Sequence, residues 1–399
     1  MSTDSDPRMG AAVNGASAAD ITARITAALD SLELVDHHVH GPLRYEVTRD
    51  AFELLITESD RPAPIGTSQF DSQVGFAIRA LCAPLLAMPA HTPADLYWQG
   101  RSRHTTEELT RILLGASGTG HWLLETGYKG DQILDPAGLT AQGVGRVSEV
   151  VRLESVLESV ARGSSAADLA ARFTDELARR SREAVGLKSI VAYRYGFDFD
   201  PNRPTAAEVT AAASAWLRDV DGSEEAKVSD PTLLRMLLWA GVDTGLPLQL
   251  HAGYGDPDVE LHRCDPLLLT RWIKAIEGSG TNLLLLHCYP YHRNAGYLAQ
   301  VFPHVYFDVG LGINYTGAAS DRVIAESLEL APFSKVLYSS DAWGPPELHY
   351  LGATLWRRGM ARALTGFVTD GLWSIDDAVR VATMTGRTNA LRVYRIDSE

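Results

Sequence analysis

Short, unbroken apolar runs alternate with stretches of helical spacing along most of this 399-residue chain. A strand that is apolar at every position needs both faces covered, which a parallel sheet flanked by helices provides and a half-solvated antiparallel sheet does not. Such runs fall at residues 32–40, 121–128, 147–153, 186–194, 246–253, 282–290, 305–311 and 335–343. Eight strands, most of them followed by a helical stretch, predict a (β/α)8 TIM barrel. A doubly wound sheet would be expected to carry a glycine-rich turn after a strand, and neither GxGxxG nor GxxxxGK[ST] occurs. The length suits one barrel with an insertion. Residues 51–120 read as that insertion, helical but broken by Pro62, Pro64, Pro84, Pro89 and Pro93. Residues 1–20 are small and polar and are expected to form a disordered leader, leaving 21–399 as the barrel.

The charge balance narrows the partners. With 36 basic against 50 acidic residues the net charge is −14, which opposes a nucleic-acid surface. Three cysteines make no disulfide framework. No apolar run approaches the ~18–20 residues that span a bilayer, and the start lacks the apolar core of a signal peptide. The expectation is a cytoplasmic enzyme acting on a small molecule. The area presented by the proline-broken insertion makes a homo-oligomer plausible.

Chemistry gathers at the strand ends. His38 and His40 close the first run, His251 the fifth, His287 the sixth and Asp341 the eighth. In a parallel barrel these ends converge on one mouth. Residues two apart in a strand share a face, so His38 and His40 are expected to point inward while His37 and Val39 point away. Neutral imidazoles from His38, His40 and His251 with the Asp341 carboxylate form a set suited to Zn²⁺, with Mn²⁺ or Fe²⁺ as alternatives. A metal held there lowers the pKa of bound water towards ~7 and yields hydroxide at neutral pH. Asp341 would then also receive the water's proton, and His287 would polarise a carbonyl or shuttle protons. Each group would cost ~1–3 kcal/mol if buried unpaired, so a shared metal accounts for all of them together. Arg194 suits a substrate carboxylate, and Tyr193, Tyr254, Tyr291 and His292 follow strand ends where mouth loops belong. Asp308 and Glu347 are candidates to orient the metal-binding groups, Trp343 to wall the pocket, and Cys288 to fill the core.

The order of Asp36, His38 and His40, then LQLHAG, LLLLHCYP and SSDAW, resembles the amidohydrolase superfamily, particularly its amidohydrolase-2 branch. The strings KSIVAYRYG, HAGYGD and HCYPYHRNAGYLA resemble the amidohydrolase domain of nodulin-type glutamine-synthetase-like proteins. The resemblance implies a divalent-metal barrel that hydrolyses a C–N amide-type bond of a small carboxylated substrate, such as a γ-glutamyl amide. Some relatives instead carry out non-oxidative decarboxylation. It also implies metal ligation by His38, His40, His251 and Asp341, with His287 a second-metal ligand or the polarising histidine. Binuclear members use a carbamylated lysine on the fourth strand. Lys188 lies on that strand, but six residues before Arg194, which puts it early, with Val191 at the expected place; one metal is therefore the default expectation.

Overall fold

The computed structural model describes residues 17–223 and 226–397. Seven parallel strands follow chain order: β1 (Leu34–Val39), β2 (Thr119–Glu125), β3 (Arg146–Arg152), β4 (Gly186–Ser189), β5 (Leu248–His251), β6 (Leu283–Leu286) and β7 (Val305–Phe307). The eighth apolar run closes the ring. Phe307 bridges Val336, and the Leu337 amide donates to the Phe307 carbonyl. On the other side the His37 amide donates to Tyr338, the Asp341 amide to His38 and the His40 amide to Ala342. The expected α/β barrel is thus the observed one.

Apart from the open first half of β3, its strands are buried on both faces, as their composition required; Leu283, Leu284, Leu285 and Leu286 of β6 are all fully buried. Helices cover the outside, the longest being Pro346–Thr369, which starts just past Asp341 and packs on the helix Ala18–Ser31. That first helix has a capping box between Ser17 and Asp20. It therefore begins at Ala18, inside the stretch expected to be leader; residues 1–16 of that stretch lie outside the described residues. No helix among the described residues is long and apolar enough to cross a membrane.

Between β1 and β2 the chain forms four short α-helices: Arg49–Leu55, Gln73–Ala77, Ala94–Arg101 and Thr106–Ala116. An ion pair ties this insertion to the barrel. Arg101 Nε donates to Glu347 Oε1 at 2.6 Å, and the Tyr97 hydroxyl donates to the same oxygen at 3.0 Å. Glu347 is fully buried there and orients the insertion, away from the metal-binding groups it was expected to orient.

Two strands end earlier than their apolar runs suggest. In β4 the Glu154 carboxylate accepts from Ser189 Oγ and from the Ile190 amide. This stops the strand at Ser189, and Val191–Arg194 turn into a short helix. In β7 the Asp308 carboxylate accepts from the Gly310 amide and starts the helix Gly310–Thr316. Buried carboxylates capping strand ends are a signal that apolar periodicity does not carry.

Candidate active site

The barrel mouth opens into a cavity of about 430 Å³ whose wall includes His40, Lys188, His251, His287 and Asp341. Asp341 sits among three imidazoles. Its Oδ1 is 3.1 Å from His38 Nε2 and 3.7 Å from His40 Nε2, and its Oδ2 is 3.3 Å from His287 Nε2. One donor atom each from His38, His287 and Asp341 lie within 4.8 Å of one another. The His251 ring centroid is 4.9 Å from that of His287. His287 and Asp341 both have positive φ, 61° and 49°, a backbone state that non-glycine residues hold only where surrounding contacts impose it.

The hydrogen bonds beneath the site fix where the protons lie. Gln249 Nε2 is 2.8 Å from the His37 carbonyl, which can only accept, so this end of the amide is the donor. Gln249 Oε1 then faces His38 Nδ1 at 2.7 Å, and Nδ1 must carry the proton. The His38 Nε2 lone pair is left facing Asp341 and Lys188. Gln249 Nε2 also donates to the Tyr394 hydroxyl at 2.6 Å, so that hydroxyl donates to His37 Nδ1 at 3.0 Å. His37 Nε2–H in turn donates to Asp308 Oδ2 at 3.0 Å. Asp308 also accepts from the His287 amide and from Ser339 Oγ, so it holds the backbone of one site residue in place, as its position suggested. His37 was expected to point away; the register of β1 slips between Asp36 and Val39, and His37 instead joins this network.

A second arrangement holds His40. Its Nδ1 faces Glu125 Oε2 at 3.2 Å, and Arg152 grips the same carboxylate at 3.0 and 2.7 Å. Burial pushes the Glu125 carboxyl up, but Arg152 and His40 outweigh it and keep it ionised. Neither residue of this Glu125–Arg152 pair was singled out from sequence, although both sit at strand ends and could have been found there.

Burial, reinforced by the Lys188 charge, drives the pKa values of His38, His251 and His287 well down. All three are therefore neutral imidazoles, the form a metal requires. Buried His251 Nε2 has no hydrogen-bond partner among the described residues. Neutral nitrogens and a carboxylate at the floor of a cavity, with His287 Nδ1 as well as His251 Nε2 lacking a hydrogen-bond partner among the described residues, suit a divalent cation, and the donors shown to cluster are those of His38, His287 and Asp341.

Lys188 corrects the sequence expectation. Because β4 stops at Ser189, Lys188 stands near its end, buried, with Nζ 3.3 Å from His38 Nε2. Val191, expected at the mouth, is buried in the core. The other candidates divide. Tyr193 and Arg194 line the cavity; the Tyr193 ring is 4.3 Å from that of His251, and Arg194 pairs with Glu158 at 3.1 Å. His292 does not line the cavity, since its Nε2 bonds Glu326 at 2.6 Å and its ring stacks on Tyr289. Tyr254 also stands back from the cavity wall, packed on Tyr289 and Tyr315. Trp343 walls the cavity and Cys288 is buried filler. Glu58, from the insertion, reaches the cavity without any signal in its local sequence.

Comparison with known proteins supplies a family and a fold. A family model described as Amidohydrolase matches residues 149–396. Protein fluG of Emericella nidulans is 30% identical over 226 residues, which is 54% of this chain and 26% of that protein. The chain thus spans about a quarter of that relative's length. Among solved structures, a Lactobacillus casei protein described as a metal-dependent hydrolase matches with a TM-score of 0.80 at 28% identity, over 93% of this chain and 97% of that one. A uronate isomerase of Bacillus halodurans shares the fold, with a TM-score of 0.66 at 13% identity over 96% and 98% of the two chains.

Proposed function

This chain belongs to the amidohydrolase family and is a metal-dependent hydrolase, and on that premise we propose that it cleaves a C–N amide-type bond of a small carboxylated substrate, a γ-glutamyl amide being the candidate. The observation that carries the reading is the placement of Asp341, a buried carboxylate in contact with three imidazoles at the floor of a cavity. Zn²⁺ is the metal best matched to His38, His40, His251 and Asp341. When bound, it supplies Lewis acidity towards a carbonyl oxygen and lowers the pKa of water.

The side chains do the rest. Asp341, beside His38 and His287 at the cavity floor, is the carboxylate placed to take a proton from an attacking water and return it to the leaving nitrogen. His287, 3.3 Å from Asp341 Oδ2, orients the scissile carbonyl. Tyr193 and Arg194 line the route by which the substrate's carboxylated part enters. We place the enzyme in the cytoplasm as a homo-oligomer. The three unpaired cysteines support the former, and the apolar Ile65, Phe76 and Leu96 exposed on the insertion support the latter.

The test is product analysis with Asp341→Ala beside wild type. An amine released by wild type and lost in the variant, with folding and zinc content followed in parallel, is the expected result. Release of CO₂ in place of an amine, or near-normal turnover in the variant, overturns the reading.

A further inference from the structure

Most charges on the cavity wall already have partners. Arg152 is paired with Glu125, Arg194 with Glu158, and Lys227 with Asp258 at 3.2 Å. Lys188 and Asp341 belong to the floor. Three wall charges remain that form no ion pair among the described residues: Lys129, Glu58 and Asp256.

Glu58 and Asp256 are half-buried on the wall, and Lys129 is exposed on it. Glu58 and Asp256 both have carboxyls raised by burial, Glu58 to about 7. Asp256 Oδ1 accepts from the Asp258 amide at 2.9 Å and Glu58 meets the Tyr315 hydroxyl, but neither carboxylate has a countercharge, and in a substrate cavity a half-buried charge of that kind marks what the ligand completes. Lys129 lies within the fields of Asp256, Asp131 and Glu58, yet it does not collapse onto any of them. The reason is visible. Its Nζ stands 4.4 Å from the ring centre of Trp343 and 5.1 Å from that of Tyr128, so two aromatic faces hold the ammonium in place. Its backbone is held at φ 42°, another positive value for a residue other than glycine.

One cation fixed apart from two carboxylates is the complement of a group bearing both charges on neighbouring atoms. We propose that Lys129, with Glu58 and Asp256 on the wall of the same cavity, recognises a zwitterionic α-amino acid end of the substrate. Lys129 takes the α-carboxylate, and Glu58 and Asp256 take the α-ammonium, while the scissile amide lies at the Asp341 floor. This rests on the amide-hydrolase reading for the orientation of the substrate, and it adds the requirement for a free amino group. It also moves the carboxylate contact from Arg194, which Glu158 already occupies, to Lys129.

Calorimetric binding of unreactive probes to the full zinc-loaded chain tests it. The probes are L-aspartate, L-glutamate and L-2-aminoadipate, each compared with the same diacid lacking the amino group and with the ω-amino acid lacking the α-carboxylate. For the chain length that binds best, the amino acid should bind about 10-fold or more tightly than either analogue. Lys129→Gln should erase the advantage over the ω-amino acid, and Lys129→Arg should keep part of it. Glu58→Gln combined with Asp256→Asn should erase the advantage over the diacid, with circular dichroism and zinc content unchanged. If no amino acid outbinds its deaminated counterpart, or if the variants leave the preferences intact, the proposal is wrong. Turnover is scored separately: the binding pattern without amide cleavage sinks the reaction assigned above, and amide cleavage without the pattern sinks only this inference.

Discussion

Gln249 offers the sharpest test of how the site is held. Gln249→Met keeps the side chain's length and removes both its acceptor and its donor. Three buried groups then lose a partner, the His38 Nδ1–H, the His37 carbonyl and the Tyr394 hydroxyl, and the first two are left as orphans. The Tyr394 hydroxyl keeps its bond to His37. If nothing relaxes, two orphans at ~1–3 kcal/mol each cost about 2–6 kcal/mol, a large share of the roughly 5–15 kcal/mol that holds a domain folded. His38 has an escape: it can move its proton to Nε2 and donate to Asp341 Oδ1, which lies 3.1 Å away. That recovers one bond in the metal-free protein but removes the lone pair a metal needs. Zinc affinity should then fall by about 10–100-fold, as it does when the partner of a metal-bound histidine is lost. Urea denaturation of the metal-free variant and zinc competition against a chelator read the two outcomes separately. A variant that loses under about 1 kcal/mol of metal-free stability and still binds zinc like wild type would refute the proton assignment.

Three further expectations follow from the geometry. Lys188→Ala, with metal content measured on protein purified without chelator, should lower the content if this buried lysine serves the metal site; an unchanged content in both proteins would remove Lys188 from metal binding. Arg101→Met leaves Glu347 buried without its cation, and should cost about 3–5 kcal/mol of stability and loosen the insertion, seen as faster amide exchange over residues 49–116. Burial, helped by Arg146 and Arg387, brings His121 down to about 4, so the folded state resists a proton that an unfolded histidine accepts near 6.5. Stability from this group is therefore present above about 6.5 and lost as pH falls from there towards 4, by at most about 3 kcal/mol, and His121→Gln should flatten that part of a stability–pH curve.

The barrel was legible because fully apolar strands admit few architectures, and the floor of the site was legible because it is built from side chains at strand ends. What escaped was set by where strands stop. Reading 186–194 as one strand put Lys188 too deep and Val191 at the mouth; the true end at Ser189 depends on Glu154, 35 residues upstream. Strict alternation put His37 outside, whereas a register slip in β1 brought it in. Glu58 and Lys129 come from loops whose positions depend on tertiary packing, and no periodicity describes those. His292 illustrates the opposite error, since closeness to a strand end in sequence did not bring it to the cavity.

The Tyr394 hydroxyl also bears on when this enzyme becomes competent during its synthesis. His37 is made early, and the phenol that sets its protonation comes 357 residues later. At ~5–20 residues per second the ribosome takes roughly 20–70 s to cover that distance. Throughout that interval His37 lacks the phenol that sets its proton, whereas Gln249, made 145 residues before Tyr394, can already order His38. The complete hydrogen-bond chain beneath the site, from Gln249 through Tyr394 and His37 to Asp308, therefore closes only when the end of the chain has docked.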